Sequence, residues 1–299
     1  MTPRGPDLVL AGAARSGTTR LAARLARHPD IVSPSIKEPN YFSSRLDRGH
    51  DWYAGLYAGG DGLWLDASAQ YTFPSHLDAL DRAAVLSPAM RVVYLVRAPI
   101  RRAYSHYCQE VLYLGKLGGA TFGEALHLSS DIAGASDYAL ILAKLQQVVP
   151  ADRLLVLPFE LIIDDLDFAS RLAMSFTGLD AALANHAEPA DDLYANEAAV
   201  IVNPIVRRTF NAVRGTRLYP QLRKMVGAER MRAARARVTS SDAIPSLEDA
   251  LRTCTPADLD MFDELTARAA GSVEALLTDQ DARLGTDLLE RCRWIGERT

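Results

Sequence analysis

The amino-acid sequence predicts an α/β fold in which helices cover both faces of a parallel sheet. Short apolar runs at 8–11, 63–66, 91–96 and 153–157 have the length and composition of buried strands. Helical patterns separate these runs, as expected when crossover helices join parallel strands. The chain has 299 residues, and we expect a single domain over residues 1–299.

The first strand leads into a glycine-bounded loop, GAARSGTT at 12–19, and then into a helix. Apolar residues recur at helical spacing from Leu21 to Ala26. The backbone N–H groups of such a loop and the positive end of the following helix dipole attract an anion. The sequence therefore predicts a phosphate-binding loop, and with it a P-loop-like sheet.

This loop departs from the Walker A pattern G-x-x-x-x-G-K-[ST] at the lysine. Gly12 and Gly17 have the required spacing, and Thr19 occupies the Ser/Thr position. Thr18 replaces the lysine, and the nearest cation in the loop is Arg15. We therefore expect the loop to bind phosphate with a cation that approaches from another side.

The later elements are marked by local signals along the chain. Ile31–Val32 begins a further strand, and the polar, proline-containing segment KEPNYFS at 37–43 follows it. Ligands of open α/β sheets bind outside the carboxyl ends of strands, so 37–43 is a candidate site loop. Helices are predicted at 77–86, 122–128, 138–149, 165–178 and from 255 to about 278, with a glycine-rich loop at 113–121 and a short element around Trp294. From 183 to 245 the pattern weakens to loops and surface helices, and a basic stretch covers 207–237.

A second change from strand to helix follows the apolar run at 91–96. The run leads directly into RAPIRRAYSHY at 97–107, a dense cluster of cations. Arg97 stands at the carboxyl end of the strand, and Ser105 lies about two helical turns further on. We interpret Arg101 and Arg102 as solvated or structural arginines.

The composition is that of an ordinary soluble globular protein, with 48% hydrophobic and 23% charged residues. The formal net charge of −4 argues against general binding to nucleic acid or to anionic membranes. No run approaches the ~18 apolar residues of a membrane helix, and the N-terminus lacks a signal-peptide apolar region. The three cysteines have no CxxC spacing, which fits a reducing cytoplasm and offers no metal site. The richness in alanine and arginine is typical of a high-GC bacterial genome.

Three stretches resemble the sulfotransferases that use 3′-phosphoadenosine 5′-phosphosulfate (PAPS). GAARSGTT at 12–19 resembles their 5′-phosphosulfate loop, and VYLVRAPIRRAYSHY at 93–107 resembles their 3′-phosphate motif. KEPNYFS at 37–43 resembles the K-E-x-x-[FY]-F segment of the heparan-sulfate and bacterial branches. Weaker similarities extend the resemblance over most of the chain.

The resemblance implies a PAPS-dependent enzyme that transfers a sulfuryl group by in-line displacement and needs no metal. Arg15 would be catalytic, because its charge would neutralise the leaving oxygen; a guanidinium cannot donate its proton, so this role would be electrostatic. The implied donor-binding residues are Arg15, Ser16, Gly17, Thr18, Thr19, Arg97 and Ser105.

The acceptor is expected to be a hydroxyl or amine that must lose a proton. By the resemblance, Glu38 is the general base. Cytosolic-type sulfotransferases use a histidine instead, and His50 is the reserve candidate. A secondary metabolite, a glycolipid and a sugar all stay open as acceptors.

Two other classes of function stay open at this point. A P-loop small-molecule kinase would use ATP and Mg²⁺, and the missing Walker lysine counts against it. A nucleotide-binding scaffold without catalysis would keep Arg97 and Ser105 and would tolerate the loss of Arg15 or Glu38.

Overall fold

A computed structural model describes residues 3–57, 61–184 and 244–296, and the backbone of a short antiparallel pair, Val200–Ile201 with Thr239–Ser240. Most of the segment 183–245 lies outside the described residues. This includes the whole basic stretch 207–237.

The main sheet has five strands in the order β2-β3-β1-β4-β5, and every described pairing in it is parallel. The strands are β1 (Leu8–Gly12), β2 (Ile31–Val32), β3 (Leu63–Asp66), β4 (Arg91–Val96) and β5 (Leu154–Pro158). All side chains of β1 and β5 are buried, which explains why these strands read as continuous apolar runs. The predicted α/β parallel sheet is confirmed.

Helices connect and cover the strands. Those of the first part of the chain are α1 (Thr18–Leu25), α2 (His50–Gly55), α3 (Ala79–Leu86), α4 (Pro99–Tyr107), α5 (Phe122–Leu128), α6 (Ser130–Gly134), α7 (Tyr138–Val148), α8 (Phe159–Asp164) and α9 (Leu166–Phe176). After the undescribed segment follow α10 (Leu247–Leu251), α11 (Pro256–Leu284), α12 (Leu288–Arg291) and α13 (Arg293–Gly296).

The crossovers put helices on both faces of the sheet. The crossover through α1 moves from β1 toward β2, whereas the crossover through α3 moves from β3 toward β4, in the opposite direction. Because crossovers between parallel strands are right-handed, α1 and α3 cover opposite faces. One layer therefore contains α1 packed on α9, and the other contains α3 and α11 packed on α7.

The long helix α11 begins and ends at strong local signals. Thr255 forms a capping box with Asp258, with a proline in the first turn, and Gly285 ends the helix with a φ of 65°. The helix extends to Leu284, beyond the predicted end near 278. The glycine-rich segment predicted as a loop at 113–121 is mostly irregular and contains one 3₁₀ turn at 117–119, whereas the residues leading into it, 108–113, continue α4 as a π-helical turn.

A side chain, rather than a further strand, forms hydrogen bonds with the outer edge of β5. The buried amide of Gln280 on α11 accepts a hydrogen bond from the Val156 N–H over 2.7 Å and donates one to the Val156 carbonyl over 2.9 Å. An amide side chain thus satisfies both backbone groups where a further strand would otherwise pair.

Candidate functional site

The carboxyl ends of the central strands bring the predicted site segments to one edge of the sheet. The loop 12–17 follows β1, Arg97 follows β4, and Glu160 follows β5. Segments far apart in sequence therefore meet at the edge where parallel α/β sheets bind ligands.

The loop after β1 has positive φ angles at three positions, which an ordinary turn from strand to helix does not require. Gly12, Arg15 and Gly17 have φ values of 140°, 71° and 91°. A Cβ on Gly12 would lie 2.4 Å from the Oγ1 of Thr72, so only glycine fits this close approach. Gly17 is the residue that precedes α1.

Thr18 and Thr19 are the first two residues of α1, and both are buried. The first N–H groups of a helix have no intrahelical partner and point outward along its axis. The positive end of the α1 dipole adds to their attraction for an anion. The loop and the start of α1 thus form a cradle with the geometry expected of a phosphate-binding site.

Arg15 bridges this cradle to α4. Its Nε donates to Ser105 Oγ over 3.2 Å, and its Nη1 donates to Gln109 Oε1 over 3.3 Å. Burial lowers the pKa of Arg15, and the nearby charge of Glu38 acts in the opposite direction. The guanidinium is therefore oriented by neutral partners and keeps its charge available for an anion.

Arg97 lies beside the same loop. Its Nη1 donates to the carbonyl of Arg15 over 2.8 Å, and its guanidinium stacks over the ring of Phe159 at 4.3 Å. The Nε of Arg97 is buried without a hydrogen-bond partner in the described part of the chain. Burial lowers the pKa of Arg97 and raises that of the neighbouring Glu160. A buried donor without a partner is the feature expected where an anionic ligand completes the site.

Tyr138 on α7 fixes the backbone of Arg97. Its hydroxyl accepts from the Arg97 N–H over 3.1 Å and donates to the Arg97 carbonyl over 2.8 Å. Burial raises the pKa of Tyr138 to about 12, so the hydroxyl stays protonated and can make both bonds.

Glu38 lies in the polar segment after β2, where the sequence predicts a site loop. Its carboxylate is 3.5 Å from Lys37 Nζ, and its side chain is 35% exposed. The Glu38 carbonyl accepts a hydrogen bond from Arg45 Nη1 over 3.1 Å. The charge of Glu38 acts to raise the pKa of Arg15.

Asp66 anchors this polar segment. The Asn40 N–H donates to Ser68 Oγ over 2.9 Å, and Ser68 Oγ donates to Asp66 over 2.6 Å. The hydroxyls of Tyr53 and Tyr71 donate to the other Asp66 oxygen over 3.0 and 2.8 Å. Burial raises the pKa of Asp66, and these hydrogen bonds act against that shift. Asp66 is therefore a structural carboxylate whose two oxygens are both occupied.

His50 does not lie with the other candidates. Its Nε2 bonds to the carbonyl of Arg4 over 2.9 Å, and Arg4 in turn donates to the carbonyl of Gly62. Arg4 and Gly62 precede β1 and β3, so these contacts place His50 at the amino edge of the sheet. The structure therefore argues against His50 as the reserve base.

The structure brings Arg15, Arg97 and Ser105 together, as the two sequence motifs predict. Gln109 was not among the predicted site residues, although its position one helical turn after Ser105 could have indicated it. No group of His, Cys, Asp and Glu side chains within the described ranges could hold a metal ion. No described helix is long and apolar enough to cross a membrane.

Comparison with known proteins gives matches to one enzyme family. Residues 38–182, just under half of the chain, match the model of the sulfotransferase family. This segment contains Glu38, Arg97 and Ser105, whereas the phosphate loop lies before it. A crystal structure of a sulfotransferase from Alicyclobacillus acidocaldarius has the same fold, with a TM-score of 0.55 and 24% identity, over 63% of this chain and 87% of that one.

Two curated relatives match about a third of the chain. The mouse heparan sulfate glucosamine 3-O-sulfotransferase 6 is 32% identical over 108 residues, which are 36% of this chain and 31% of the relative. The Caenorhabditis briggsae bifunctional heparan sulfate N-deacetylase/N-sulfotransferase 1 is 30% identical over 108 residues, 34% of this chain and 12% of the relative. The chain thus spans a third or less of the length of these relatives. These matches show that just under half of the chain is similar to sulfotransferases in sequence, and the fold is that of a solved sulfotransferase.

Proposed function

We propose that this protein transfers a sulfuryl group from PAPS to a hydroxyl or amine of a small molecule, a glycolipid or a sugar. The observation that carries the proposal is the cluster of Arg15, Arg97 and Ser105 beside the phosphate loop. The similarity of residues 38–182 to the sulfotransferase family supports the type of reaction.

The residues at the carboxyl edge fit the donor nucleotide. The loop and the start of α1 offer N–H groups for its 5′ side, with Ser16 to Thr19 as the binding residues. Arg97 has a buried Nε without a described partner, and Ser105 supplies a hydroxyl, so these two residues would bind the 3′-phosphate. When bound, PAPS supplies the sulfuryl group and a stabilised leaving oxygen.

Arg15 would stabilise the negative charge that develops on that oxygen. Its bonds to Ser105 and Gln109 orient the guanidinium before the donor arrives, so little reorganisation is needed. Arginine keeps its proton at physiological pH, and its role is therefore electrostatic.

Glu38 would accept the proton of the acceptor. Its carboxylate is partly exposed, so an acceptor molecule could reach it from solvent. Lys37 lies close enough to hold the carboxylate in place. The acceptor class, the cytoplasmic location and the single-domain organisation stay predictions from the sequence.

Calorimetric titration with adenosine 3′,5′-bisphosphate, AMP and ATP tests the donor. We expect the bisphosphate to bind at least about tenfold more tightly than AMP, because only the bisphosphate engages Arg97 and Ser105. Equal affinity for AMP would overturn the assignment of the 3′-phosphate site. Mg²⁺-dependent binding of ATP in place of the bisphosphate would support a kinase instead.

Transfer of labelled sulfate from PAPS into an extract of the source organism, with detection by mass spectrometry, tests the reaction. A labelled product that requires the protein would support the proposal and identify the acceptor. An inactive variant at Arg15 supplies the background in the same extract.

A further inference from the structure

Arg102 on α4 is a fully buried arginine to which the proposed reaction gives no role. Its Nε donates to Ser136 Oγ over 2.6 Å, and its Nη2 donates to the carbonyl of Ile132. Its Nη1 lies 3.4 Å from the carbonyl of Ala14 in the phosphate loop. The guanidinium thus joins the loop to the segment around α6.

The charge of Arg102 has no carboxylate partner among the described residues. Burial lowers the pKa of Arg102, and the charges of Arg97 and Arg15 add to this effect. An unpaired charge in the protein interior is costly, and structural arginines in such places are usually paired. Because Arg102 contacts the Ala14 carbonyl of the predicted phosphate loop, an anion bound there would supply its counter-ion.

The hydrogen bonds of the loop carbonyls show what Arg102 does to the loop. Each carbonyl of residues 13 to 15 accepts a hydrogen bond: that of Ala13 from the Ser16 N–H at 3.1 Å, that of Ala14 from Arg102 at 3.4 Å and that of Arg15 from Arg97 at 2.8 Å. Carbonyl oxygens repel an anion, whereas N–H groups attract it. With these three oxygens engaged by donors, they repel the ligand less, and the N–H groups that follow Ser16 are left to attract it.

His106 contacts the same Arg102 nitrogen that lies near the Ala14 carbonyl. Its Nδ1 lies 3.4 Å from Arg102 Nη1, and burial lowers the pKa of His106 to about 3. The imidazole is therefore neutral at physiological pH and can accept a hydrogen bond from the guanidinium.

We propose that Arg102 is a positioning residue for the phosphate loop. It holds the Ala14 carbonyl away from the ligand and places a buried positive charge beneath the anion. This inference rests on the proposed donor nucleotide, and it assigns Arg102 to the 5′ side of that donor.

The test compares Arg102→Met with Arg101→Met in the full chain. Arg101 is the adjacent residue on α4 and is exposed, so its variant loses the same charge without losing contact with the loop. Calorimetry measures the binding of adenosine 3′,5′-bisphosphate and of adenosine 3′-monophosphate, which lacks the 5′-phosphate. We expect Arg102→Met to weaken binding of the bisphosphate at least about tenfold and to change binding of the 3′-monophosphate less than about twofold. Arg101→Met should change the affinity for either nucleotide less than about twofold.

Ser136→Ala is a milder variant that decides the question if Arg102→Met does not fold. It removes the Nε acceptor and should weaken the bisphosphate selectively by about threefold. Equal losses for both nucleotides, or no loss, in the variant that folds would overturn the role of Arg102 alone. A wild-type protein that binds neither nucleotide would overturn the proposed function as well.

Discussion

Arg15 donates a hydrogen bond from Nε to Ser105 Oγ over 3.2 Å, although the two residues are 90 positions apart in the chain. One residue belongs to the predicted 5′ loop and the other to the predicted 3′ motif. The contact therefore joins the two halves of the proposed donor site. A change at Ser105 can affect both the 3′-phosphate and the orientation of Arg15.

Ser105→Ala should weaken adenosine 3′,5′-bisphosphate about tenfold, because it removes a hydrogen bond to a charged phosphate. AMP should bind within about threefold of wild type, since Gln109 still holds Nη1 of Arg15. Calorimetric titration of both nucleotides measures this difference. Ser130→Ala, an exposed serine on α6, is the control. Equal weakening of the two nucleotides would mean that Ser105 acts only through Arg15.

Glu38→Gln should lower kcat at least about a hundredfold, because the amide cannot accept the acceptor's proton. Binding of the bisphosphate should stay within about twofold, since no donor contact is proposed for this side chain. Steady-state kinetics with the identified acceptor, combined with calorimetry, measures both. Glu274→Gln, an exposed change on α11, should leave both quantities unaltered. If Glu38→Gln turned over as fast as the wild type, another residue would have to be the general base.

The strands and the phosphate loop could be predicted because their signals are local. Continuous apolar runs indicate strands buried on both faces, and the glycines at 12 and 17 mark two of the three loop positions with positive φ; Arg15 is the third. The helix start at Thr255 was equally readable, since a threonine cap and a following proline are both sequence features.

Contacts between distant segments could not be predicted in the same way. The position of His50 at the amino edge depends on how α2 packs near Arg4, which no local pattern encodes. Arg102 looks like any arginine on a helix face, and it is buried by the packing of α6 and the phosphate loop against α4. Family resemblance supplied the pairing of Arg97 with the phosphate loop, and the structure adds the hydrogen bond between them.

Gly12→Ala should destabilise the protein by about 3 kcal/mol, because a Cβ adds steric overlap to an unfavourable φ. The Cβ would lie 2.4 Å from Thr72 Oγ1, which donates to the Ala11 carbonyl over 2.9 Å. Urea unfolding measures the change. Gly55→Ala, where a Cβ meets nothing within 4 Å, should change the free energy of unfolding by less than about 1 kcal/mol. An unchanged midpoint for Gly12→Ala would contradict the close approach.

Gln280→Leu should lower the free energy of unfolding by about 2 to 4 kcal/mol, because the N–H and the carbonyl of Val156 both lose their partner in a buried place. Leucine preserves most of the volume, so the loss reports on hydrogen bonding more than on packing. Gln147→Leu on the exposed face of α7 should cost less than about 0.5 kcal/mol. If urea unfolding gave the same loss of free energy for both variants, the hydrogen bonds of the Gln280 amide would not stabilise the edge of β5.

His106→Asn should flatten the dependence of stability on pH in acid. Burial lowers the pKa of His106 from 6.5 to about 3, so the unfolded chain takes up this proton first as the pH falls. The stability contributed by neutral His106 is therefore complete above pH 6.5 and is lost between pH 6.5 and about 3. Urea unfolding across this range measures how steeply the free energy of unfolding falls as the pH falls. In the variant this slope should be about 1.4 kcal/mol per pH unit smaller than in the wild type. Phe73→Leu removes the ring that packs on His106 and should lower stability at every pH with the slope retained. A wild-type slope in His106→Asn would show that this imidazole does not titrate on unfolding.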